Sequence, residues 1–567
     1  MANELRAIKQ GRFSLPYCIE FYHCYNVVKG MSHDSVSWSK DGHLCIMSKE
    51  FKLWMYGSTL LMLIAILTMQ SCTKVNYTND PDALLEFSYD TLFFDSVFTT
   101  IGSKSLYLSV INIHDDAILI SDIELEGGVD SQYRINVDGM GLDGSGNPIL
   151  SVQEVTILPG DSMYIFVEVT VDPTSSTSSF IVEDRLRFST NGSDQSVHLI
   201  AYGRNAVFHH QPGNWFDSNN PPEQILSCNE VWSSDLPHVI YGPIRVEPEC
   251  TLTIEAGAEV YVHDGSGIWV QGGTINIEGT LNEKVVFQGD RLGDYYSDAP
   301  GQWGLEFPIE FEYEGENVYF TVSRGGIWLD RALECNIEHA VFKNGTVGIW
   351  VDTLAMSAEY SLNIRNTIIT NMTAVGLLSQ GGYIDGVNNL ITDCGEACGA
   401  FTLGGRINIH LTTFANYWSS STVRQGPAVY VNDWYESSVG TIPRAFVDGT
   451  EFRNCIIWGN NALLDNHDEL TSSLYNASIY SSPLFNSCGV DVQDEDFPQS
   501  ILSDNCSTDS EPPFQSVILR DFHLEGNNTI WDGISSIPPF SAAQVSTDLD
   551  GAPRSTFSPD LGCYERN

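Results

Sequence analysis

Hydrophobic residues along this chain come in short runs in which every second side chain is polar, and turn residues separate the runs. Ser105–Asn112, Met163–Val169 and Val197–Ala201 are runs of this kind. A period of two predicts β-strands that bury one face, because successive side chains of a strand point to opposite sides of its sheet. Several such strands between residues 84 and 205 predict an antiparallel β-sandwich.

Beyond residue 238 the pattern changes to a repeat with a basic period of 22 residues. We attribute longer intervals to inserted loops. A glycine followed by three mostly apolar residues recurs, at intervals of 37, 22, 22, 28 and 23 residues, at Gly267, Gly304, Gly326, Gly348, Gly376 and Gly399. The apolar runs in each unit are short and β-branched and leave no room for a helix. The period therefore fits one coil of a parallel β-helix. A leucine-rich repeat would need a regular leucine pattern, which is absent.

A second set of equivalent positions supports the same period. A polar residue ends an apolar run, at intervals of 27, 22 and 23 residues, at Asn344, Asn371, Asp393 and Asn416. A similar run, Cys455–Asn460, starts 43 residues after the last one, which we interpret as two periods. Amides at equivalent positions of successive coils can stack as a hydrogen-bonded ladder. The predicted fold is all-β, with an N-terminal sandwich followed by a parallel β-helix.

The segment that follows Met47 has the features of an export signal. Two lysines precede the apolar run 60–69, which is shorter than the roughly 20 residues that a membrane-spanning helix needs. The sequence then resembles the cleavage site of a bacterial lipoprotein, with Cys72 as the acylated first residue, although Met69 stands where leucine is usual. An ordinary secretory signal with an incidental cysteine is the alternative.

The charge of the chain restricts its partners. Its 567 residues include 27 Lys+Arg and 73 Asp+Glu, a net charge of −46. The first 72 residues hold seven basic and five acidic residues, which leaves 20 against 68 in the rest. This charge argues against nucleic-acid binding, and it disfavours an acidic polysaccharide unless cations intervene. Residues 1–46 show no periodicity, and we interpret them as an upstream extension.

Nine cysteines follow Cys72, and none of them forms a Cys-x-x-Cys motif, so a zinc ribbon is excluded. In an exported protein disulfides are expected, and buried free thiols are the alternative for the remaining cysteines. The pairs that we expect to bridge are Cys228 with Cys250, Cys394 with Cys398, and Cys488 with Cys506. The first pair lies one period apart, where a bridge would close the open end of the solenoid.

The chain resembles right-handed parallel β-helix lipoproteins of the Bacteroidetes type, whose architecture is pectate-lyase-like. The resemblance covers residues 225–567 and rests on Cys228-Asn-Glu-Val-Trp, Gly267-Ile-Trp-Val, Gln302-Trp-Gly and the ending Pro559-Asp-Leu-Gly-Cys-Tyr-Glu. Leu158-Pro-Gly-Asp-Ser similarly resembles the immunoglobulin-like domains that follow lipoprotein anchors. The wide class includes lyases, hydrolases and adhesins, so the resemblance implies a carbohydrate or surface context and no single activity.

The sequence does not identify catalytic residues. Arg406 and His410 share a coil and Arg365 lies near the asparagine positions, but isolated surface cations are the alternative for each. Residues 465–469 are the nearest carboxylate cluster with a histidine, and a surface turn is the alternative there. A lyase would need an arginine or cation placed against a uronate carboxylate, and no such arrangement is evident. Enzymatic activity is therefore uncertain, and we prefer a binding protein.

No metal or cofactor is assigned. His209 and His210 have no third ligand at a suitable spacing. Asp491–Asp496 and Asp548–Asp550 carry oxygen ligands of the kind that Ca²⁺ prefers, but neither segment matches an EF-hand loop, and a solvated loop is the alternative.

The most specific expectation concerns a row of aromatic side chains. If Ile268 and Val270 point into the coil, the residue between them points out, and the same holds in the later repeats. The outward aromatic residues are then Trp269, Trp328, Trp350 and Phe401. Such a row is either a platform for sugars or a face that another part of the protein covers. We favour the covered face, because rings on adjacent coils lie too close for separate sugars.

These observations divide the chain into a signal region, a sandwich and a solenoid. The expected segments are an upstream extension (1–46), a lipoprotein signal (47–72), a tether (73–83), an immunoglobulin-like sandwich (84–205), a linker and cap (206–237) and a right-handed parallel β-helix (238–567). The expected function is that of an outer-membrane lipoprotein, on the cell surface or the periplasmic face, that binds a polysaccharide or an envelope protein. A polysaccharide lyase or glycoside hydrolase, and a structural stalk or adhesin, are the alternatives.

Overall fold

A computed structural model describes residues 75–566, except 211–222, 294–295, 314–315, 353–358, 420–423, 425, 461–467, 476–480, 494–496, 504, 509, 527–530, 532–544 and 556–558. The predicted signal region and Cys72 lie outside these residues. The chain divides into two compact units. The first contains residues up to 92, 105–168 and 184–199, and the second contains 93–104, 169–183 and 200–567. The described residues contain no α-helix, only strands and 3₁₀ turns at Gly128–Asp130 and Gln499–Ile501.

Nine strands precede the repeat and form two antiparallel sheets, in the orders β1-β3-β7-β5 and β2-β9-β8-β4-β6. Their bounds are β1 Glu86–Phe87, β2 Thr91–Phe98, β3 Leu106–Ile111, β4 Ile118–Leu125, β5 Tyr133–Val137, β6 Ser151–Ile157, β7 Ser162–Val169, β8 Phe180–Thr190 and β9 Ser193–Arg204. Alternate residues of β7 are buried, as a period of two requires. The ring of Phe87 on one sheet lies 4.8 Å from that of Phe188 on the other, between ring centroids.

The strands that follow belong mainly to a solenoid of short parallel strands. Their bounds are β10 Val207–His210, β11 Gln224–Ile225, β12 Glu230–Trp232, β13 His238–Tyr241, β14 Pro243–Val246, β15 Thr251–Glu255, β16 Glu259–Val262, β17 Gly267–Gln271, β18 Thr274–Glu278, β19 Val285–Gly289, β20 Leu305–Tyr313, β21 Glu316–Gly325, β22 Ile327–Asp330, β23 Cys335–Glu338, β24 Ala340–Lys343, β25 Ile349–Asp352, β26 Leu362–Arg365, β27 Ile368–Met372, β28 Val375–Gln380, β29 Tyr383–Val387, β30 Leu390–Cys394, β31 Ala397–Thr402, β32 Arg406–His410, β33 Thr413–Asn416, β34 Val429–Asn432, β35 Trp434–Ser437, β36 Gly440–Pro443, β37 Glu451–Arg453, β38 Ile456–Gly459, β39 Leu470–Ser473, β40 Leu484–Asn486, β41 Gly489–Val490, β42 Phe514–Ser516 and β43 Asp521–Leu524.

Each coil contributes one strand to each of three parallel sheets, which is the architecture of a parallel β-helix. The first sheet has the order β10-β13-β16-β19-β24-β27-β30-β33-β38-β41. The second is β11-β14-β17-β22-β25-β28-β31-β34-β39, and the third is β12-β15-β18-β23-β26-β29-β32-β37-β40. The stack begins with β10 at Val207, so coils occur before the boundary at residue 238 that the sequence suggested.

Inward side chains of all three sheets form one continuous core along the coils. Equivalent positions carry Ile268, Ile327, Ile349 and Leu377, each at most 1% exposed. Because a coil buries these side chains only against its neighbours, the stability of the solenoid depends on contacts between successive coils.

The predicted asparagine ladder is present at the end of the first-sheet strands. Asn371 Nδ2 donates a hydrogen bond to Asn344 Oδ1 over 2.7 Å. Asn344, Asn371 and Asp393 have positive φ values of 66°, 58° and 52°, a conformation that asparagine and aspartate tolerate better than most residues. The polar residue at this position therefore both turns the chain and bonds to the adjacent coil.

Two hairpins are inserted into single coils, and this corrects two details of the repeat. Gly304 does not start a coil but precedes the hairpin of β20 and β21, while β17 pairs directly with β22. The 43-residue interval before Cys455 is likewise one coil, because β33 pairs directly with β38 and the hairpin of β35 and β36 lies between them. An interval longer than 22 residues thus reflects added loop, whether or not it is close to a multiple of the period.

The cysteines follow two different patterns. Cys228 and Cys250 form a disulfide with their Cα atoms 4.7 Å apart. The bridges expected for Cys394 with Cys398 and for Cys488 with Cys506 are absent, and all four are free thiols. Three of these thiols donate instead to main-chain carbonyls: Cys394 Sγ to Thr392 O over 3.5 Å, Cys488 Sγ to Phe452 O over 3.4 Å, and Cys506 Sγ to Phe485 O over 3.2 Å. Burial raises the pKa of the Cys488 thiol well above its ordinary value, so it stays protonated.

Candidate binding face on the third sheet

The tryptophans singled out by the sequence lie on the outer side of the second sheet, on successive coils. Trp269 pairs in register with Trp328, and Trp328 pairs with Trp350. The rings of Trp269 and Trp328 are stacked, with their centroids 5.1 Å apart and their planes 12° apart. The spacing is close to the strand separation, because each ring stands on its own coil.

Other residues cover this row. The Phe307 ring packs edge-on against Trp269 and Trp328, at 5.7 and 5.8 Å between centroids. The Arg324 guanidinium lies 5.2 Å from the ring centroids of both Trp328 and Trp350. Trp350 is only 9% exposed. Phe307 and Arg324 belong to the inserted hairpin, so the hairpin makes the row a packed layer and leaves little ring surface for a sugar.

Phe401 does not continue the row, and its assignment to the outer face is a correction. It is fully buried in the core, and Ala400 occupies the register position that follows Leu378 and Trp350. Aligning glycine with glycine implied an interval of 23 residues, whereas the strands pair with an interval of 22 between Leu377 and Gly399. A slip of one residue moves a side chain to the opposite face of its sheet.

A groove of about 480 Å³ lies beside the asparagine ladder, lined in part by Trp418 and Asn371. Arg520 crosses it, with Nε 2.6 Å from Asp393 Oδ2 and Nη1 3.1 Å from Asp298 Oδ1. Burial raises the pKa of Asp393 while Arg520 opposes the shift. Since one guanidinium pairs with both carboxylates, neither is free to act as a general acid or base in this arrangement.

The third sheet has a different outer surface, which is polar and contains tyrosines. Tyr383 and Asp385 alternate along β29, and Arg406 and Asn408 alternate along β32, so all four side chains leave the core on the same side. Tyr383 is in register with Arg406, and Asp385 is in register with Asn408. Strand alternation and coil stacking together therefore assemble a patch from residues 23 positions apart in sequence.

One guanidinium organises the aromatic part of this patch. Arg406 lies over Tyr383 at 5.3 Å and over Tyr360 at 6.0 Å, measured from Cζ to the ring centroids. The Tyr360 hydroxyl oxygen is 2.9 Å from the Asn408 side-chain amide, which fixes the orientation of the ring. Each exposed cation–π contact of this kind stabilises the arrangement by about 0.5–1 kcal/mol. The contacts therefore orient the two rings while leaving them partly exposed.

An ion pair lies next to the rings. Arg365 Nη2 is 2.7 Å from Asp385 Oδ2, and both side chains are partly exposed. Burial raises the pKa of Asp385, and the nearby Arg365 lowers it to a smaller extent. We call the whole patch the tyrosine–arginine face; it consists of Tyr360, Arg365, Tyr383, Asp385, Arg406 and Asn408.

A row of side-chain amides extends from this face along the solenoid axis. Asn363 Nδ2 donates to Asn336 Oδ1, and Asn336 Nδ2 donates to Asn276 Oδ1, each over 3.0 Å. Asn363 is in register with Asp385, so the row continues into the tyrosine–arginine face. The result is a strip of hydrogen-bonding groups, one on each coil, about 4.8 Å apart.

Carboxylates flank the strip. Glu255, Glu278 and Glu338 occupy equivalent positions on successive coils and are exposed. Like charges in a row favour a neutral ligand over an acidic one.

The sequence pointed to Arg365 and Arg406 only as isolated cations and did not identify the two tyrosines. The available signal was the pair Tyr383-Ile-Asp and Arg406-Ile-Asn, two alternating triplets at one repeat spacing. Tyr360 lies two residues before β26 and follows an insertion, so no periodicity marks it.

No group of three or more His, Cys, Asp or Glu side chains suited to a metal ion occurs in the described part of the chain. Residues 494–496 of the first candidate Ca²⁺ segment and residues 465–467 of the histidine-containing cluster lie outside that part. Glu469, from the same cluster, is fully buried in an ion pair with Arg424. Within the described residues, no helix is long and apolar enough to cross a membrane.

Comparison with known proteins leaves the family open. No family model and no curated protein matches the chain. The catalytic domain of a GH87 alpha-1,3-glucanase, solved with tetrasaccharides, aligns over 69% of this chain and 74% of its own at 11% identity, with a TM-score of 0.22. A family 123 glycoside hydrolase from Clostridium perfringens aligns over 26% of each chain at 11% identity, with a TM-score of 0.15. A PapD-like domain of human CEP192 aligns over 24% of this chain and 98% of its own at 12% identity, with a TM-score of 0.15. TM-scores this low carry no argument about fold or function.

Proposed function

We propose that this protein is a cell-envelope lipoprotein, anchored through Cys72, whose β-helix binds a neutral polysaccharide on the outer side of the third sheet. The observation that carries the proposal is the tyrosine–arginine face, in which Arg406 holds two partly exposed tyrosine rings beside the Arg365–Asp385 ion pair. The anchoring part rests on the signal-like sequence that ends at Cys72.

The chemistry of the face suits a sugar. Aromatic rings pack against the apolar face of a pyranose, while amide, carboxylate and guanidinium groups exchange hydrogen bonds with its hydroxyls. Tyr360 and Tyr383 are held by cation–π contacts and a hydrogen bond, so little conformational entropy would be lost on binding.

The direction of the ligand follows from the amide row. Asn276, Asn336 and Asn363 lie on successive coils, so a chain-like ligand that starts on the tyrosines would continue parallel to the solenoid axis. A linear polysaccharide has this form, and the neighbouring glutamates favour a neutral one.

The test is a binding titration of the purified protein with neutral and acidic polysaccharides, followed by calorimetry on variants. We expect Tyr383→Ala to weaken binding of the neutral ligand about tenfold, because it removes one stacking surface. Tyr383→Phe should retain most of the affinity. Tyr107→Ala is the matched control, since Tyr107 is a 53% exposed tyrosine of the first unit. Equal affinity of Tyr383→Ala and the wild type, or binding of acidic polysaccharides alone, would refute the proposal.

A further inference from the structure

A second site stands out because of its charge. Two adjoining cavities of the second unit, of about 410 and 260 Å³, share Ser96, Arg291, Leu292 and Tyr296 in their walls. Lys104 lines the first cavity and Lys343 lines the second. We call the pair of cavities the basic cavity. Arg204 also lines the second cavity but is paired with Glu259, so the basic cavity contains three further cations, Lys104, Arg291 and Lys343. The whole chain has only 27 Lys+Arg against 73 Asp+Glu.

These cations are not neutralised by the protein. Among the described residues, no carboxylate lies within ion-pair distance of Lys104, Arg291 or Lys343. Most other described arginines of the second unit have such a partner, for example Arg204 with Glu259. Two of the three lie above one ring instead, with Lys104 Nζ 6.0 Å and Arg291 Cζ 5.4 Å from the Tyr296 ring centroid. Clustered cations without counter-charges attract an anion.

The carboxylates in the walls leave the balance positive. Asp290 Oδ2 accepts hydrogen bonds from the Tyr241 hydroxyl over 2.9 Å and from His263 Nδ1 over 2.7 Å. The hydrogen bond to Asp290 raises the pKa of His263, which adds further positive charge in mildly acidic conditions. Asp95 is the other carboxylate in the walls. Among the described residues of the walls, three cations without an ion-pair partner therefore lie near a single carboxylate, Asp95, that does not already bond to another wall residue.

Hydrogen bonds from the Gln302 side chain hold the main chain of the wall segment that contains Tyr296. Gln302 Nε2 donates to Tyr296 O over 2.7 Å and to Ala299 O over 2.6 Å. The Gln302 side chain also packs against Gly289, where an added Cβ would lie 2.4 Å from Gln302 Oε1. A glycine at that position thus makes room for the glutamine that holds the loop, and the site is pre-organised in the absence of ligand.

We infer that the basic cavity binds an acidic sugar residue, with its carboxylate or sulfate group among Lys104, Arg291 and Lys343 and its ring against Tyr296. The volume is in the range of small-molecule sites, and an aromatic ring beside cations matches a pyranose with an acidic substituent better than a bare inorganic ion. The site is separate from the tyrosine–arginine face, and it does not depend on the function proposed there.

The experiment measures binding of D-galacturonate, galactose 6-sulfate, galactose and inorganic sulfate to the whole protein, by saturation-transfer NMR and calorimetry. We expect one or both acidic sugars to bind, with an affinity that falls as salt rises, and galactose to bind at least about tenfold more weakly. Binding of galacturonate alone would identify a carboxylate ligand, and binding of the sulfated sugar alone would identify a sulfate ester.

Variants distinguish a loss of binding caused by the missing charge from a loss caused by misfolding. Arg291→Met combined with Lys343→Met should reduce affinity for the acidic sugar at least about tenfold, and Arg291→Lys should largely retain it. Lys284→Met is the matched control, since Lys284 is a partly buried lysine outside the cavities. Thermal unfolding of each variant checks the fold, and Arg291→Met alone serves if the double variant is unstable. Unchanged affinity in the folded charge variants, equal binding of galactose, binding of inorganic sulfate only, or no binding would each overturn the inference.

Discussion

Acidification should weaken the solenoid through a buried histidine at its first coil. His209 is 4% exposed, and its ring stacks on Trp232 with centroids 4.2 Å apart. Its Nε2 lies 3.0 Å from His238 Nδ1. Burial lowers the pKa of His209 to about 3, and the neighbouring His238 lowers it further in the same direction. The folded protein therefore holds this imidazole neutral at every pH near neutrality.

The size of the effect follows from the difference between the folded and unfolded pKa values. A lowered folded pKa gives stability that is present above the unfolded pKa of about 6.5 and is lost as the pH falls below it, because only the unfolded chain then takes up the proton. Each pH unit is worth about 1.4 kcal/mol, so His209 should remove about 2 kcal/mol from the free energy of unfolding between pH 7 and pH 5.

The assay is urea unfolding followed by tryptophan fluorescence at pH 7, 6 and 5. Protonation of the many carboxylates also changes stability with pH, so the informative quantity is the difference between wild type and His209→Gln, which replaces the imidazole by an amide that does not titrate. We expect the wild type to lose about 2 kcal/mol more than this variant over that range. His210→Gln is the control, since His210 is exposed and should keep the wild-type dependence. Identical pH dependence of wild type and His209→Gln would refute the reasoning.

Two further predictions follow from the covered tryptophans and from the signal. Trp350→Ala should lower the free energy of unfolding by about 3–5 kcal/mol without loss of polysaccharide binding, because the ring is packed under Arg324. Ile518→Ala, at a 90% exposed position, is the control in the same denaturation assay, and a Trp350 variant as stable as this control would contradict the packing argument. Cys72→Ala should leave the membrane fraction and appear as soluble or unprocessed protein on fractionation; unchanged retention and processing would argue against lipidation.

The sequence predicted the coils well because each coil buries apolar side chains at fixed positions. The intervals between Asn344, Asn371, Asp393 and Asn416 coincide with the strand pairing. The predictions that were wrong concern positions where the repeat period is compatible with more than one structure. Gly304 matches the repeat by composition, yet it precedes a hairpin, since a glycine is equally suited to a coil corner and to a loop.

The candidate site was harder to predict because it is built across coils. Tyr383 and Arg406 are neighbours only because β29 and β32 pair with no shift, and the 23-residue separation gives the correct face only if that register is known. The same separation, applied to Gly376 and Gly399, placed Phe401 on the wrong face. One residue of loop thus decides whether an aromatic side chain meets solvent or core.

The hairpin of β20 and β21 also has a consequence for how this fold can change. Ile268 pairs with Ile327 as directly as Ile327 pairs with Ile349, although a whole hairpin intervenes in the first case and none in the second. The pairing of the coils therefore does not depend on how many residues are inserted at that corner, because the entropic cost of closing a loop grows only slowly with its length. Evolution can therefore lengthen this hairpin without altering the pairing of the coils on either side, provided that Phe307 and Arg324 still cover the tryptophans. The same corner is the natural place to graft a foreign peptide for display.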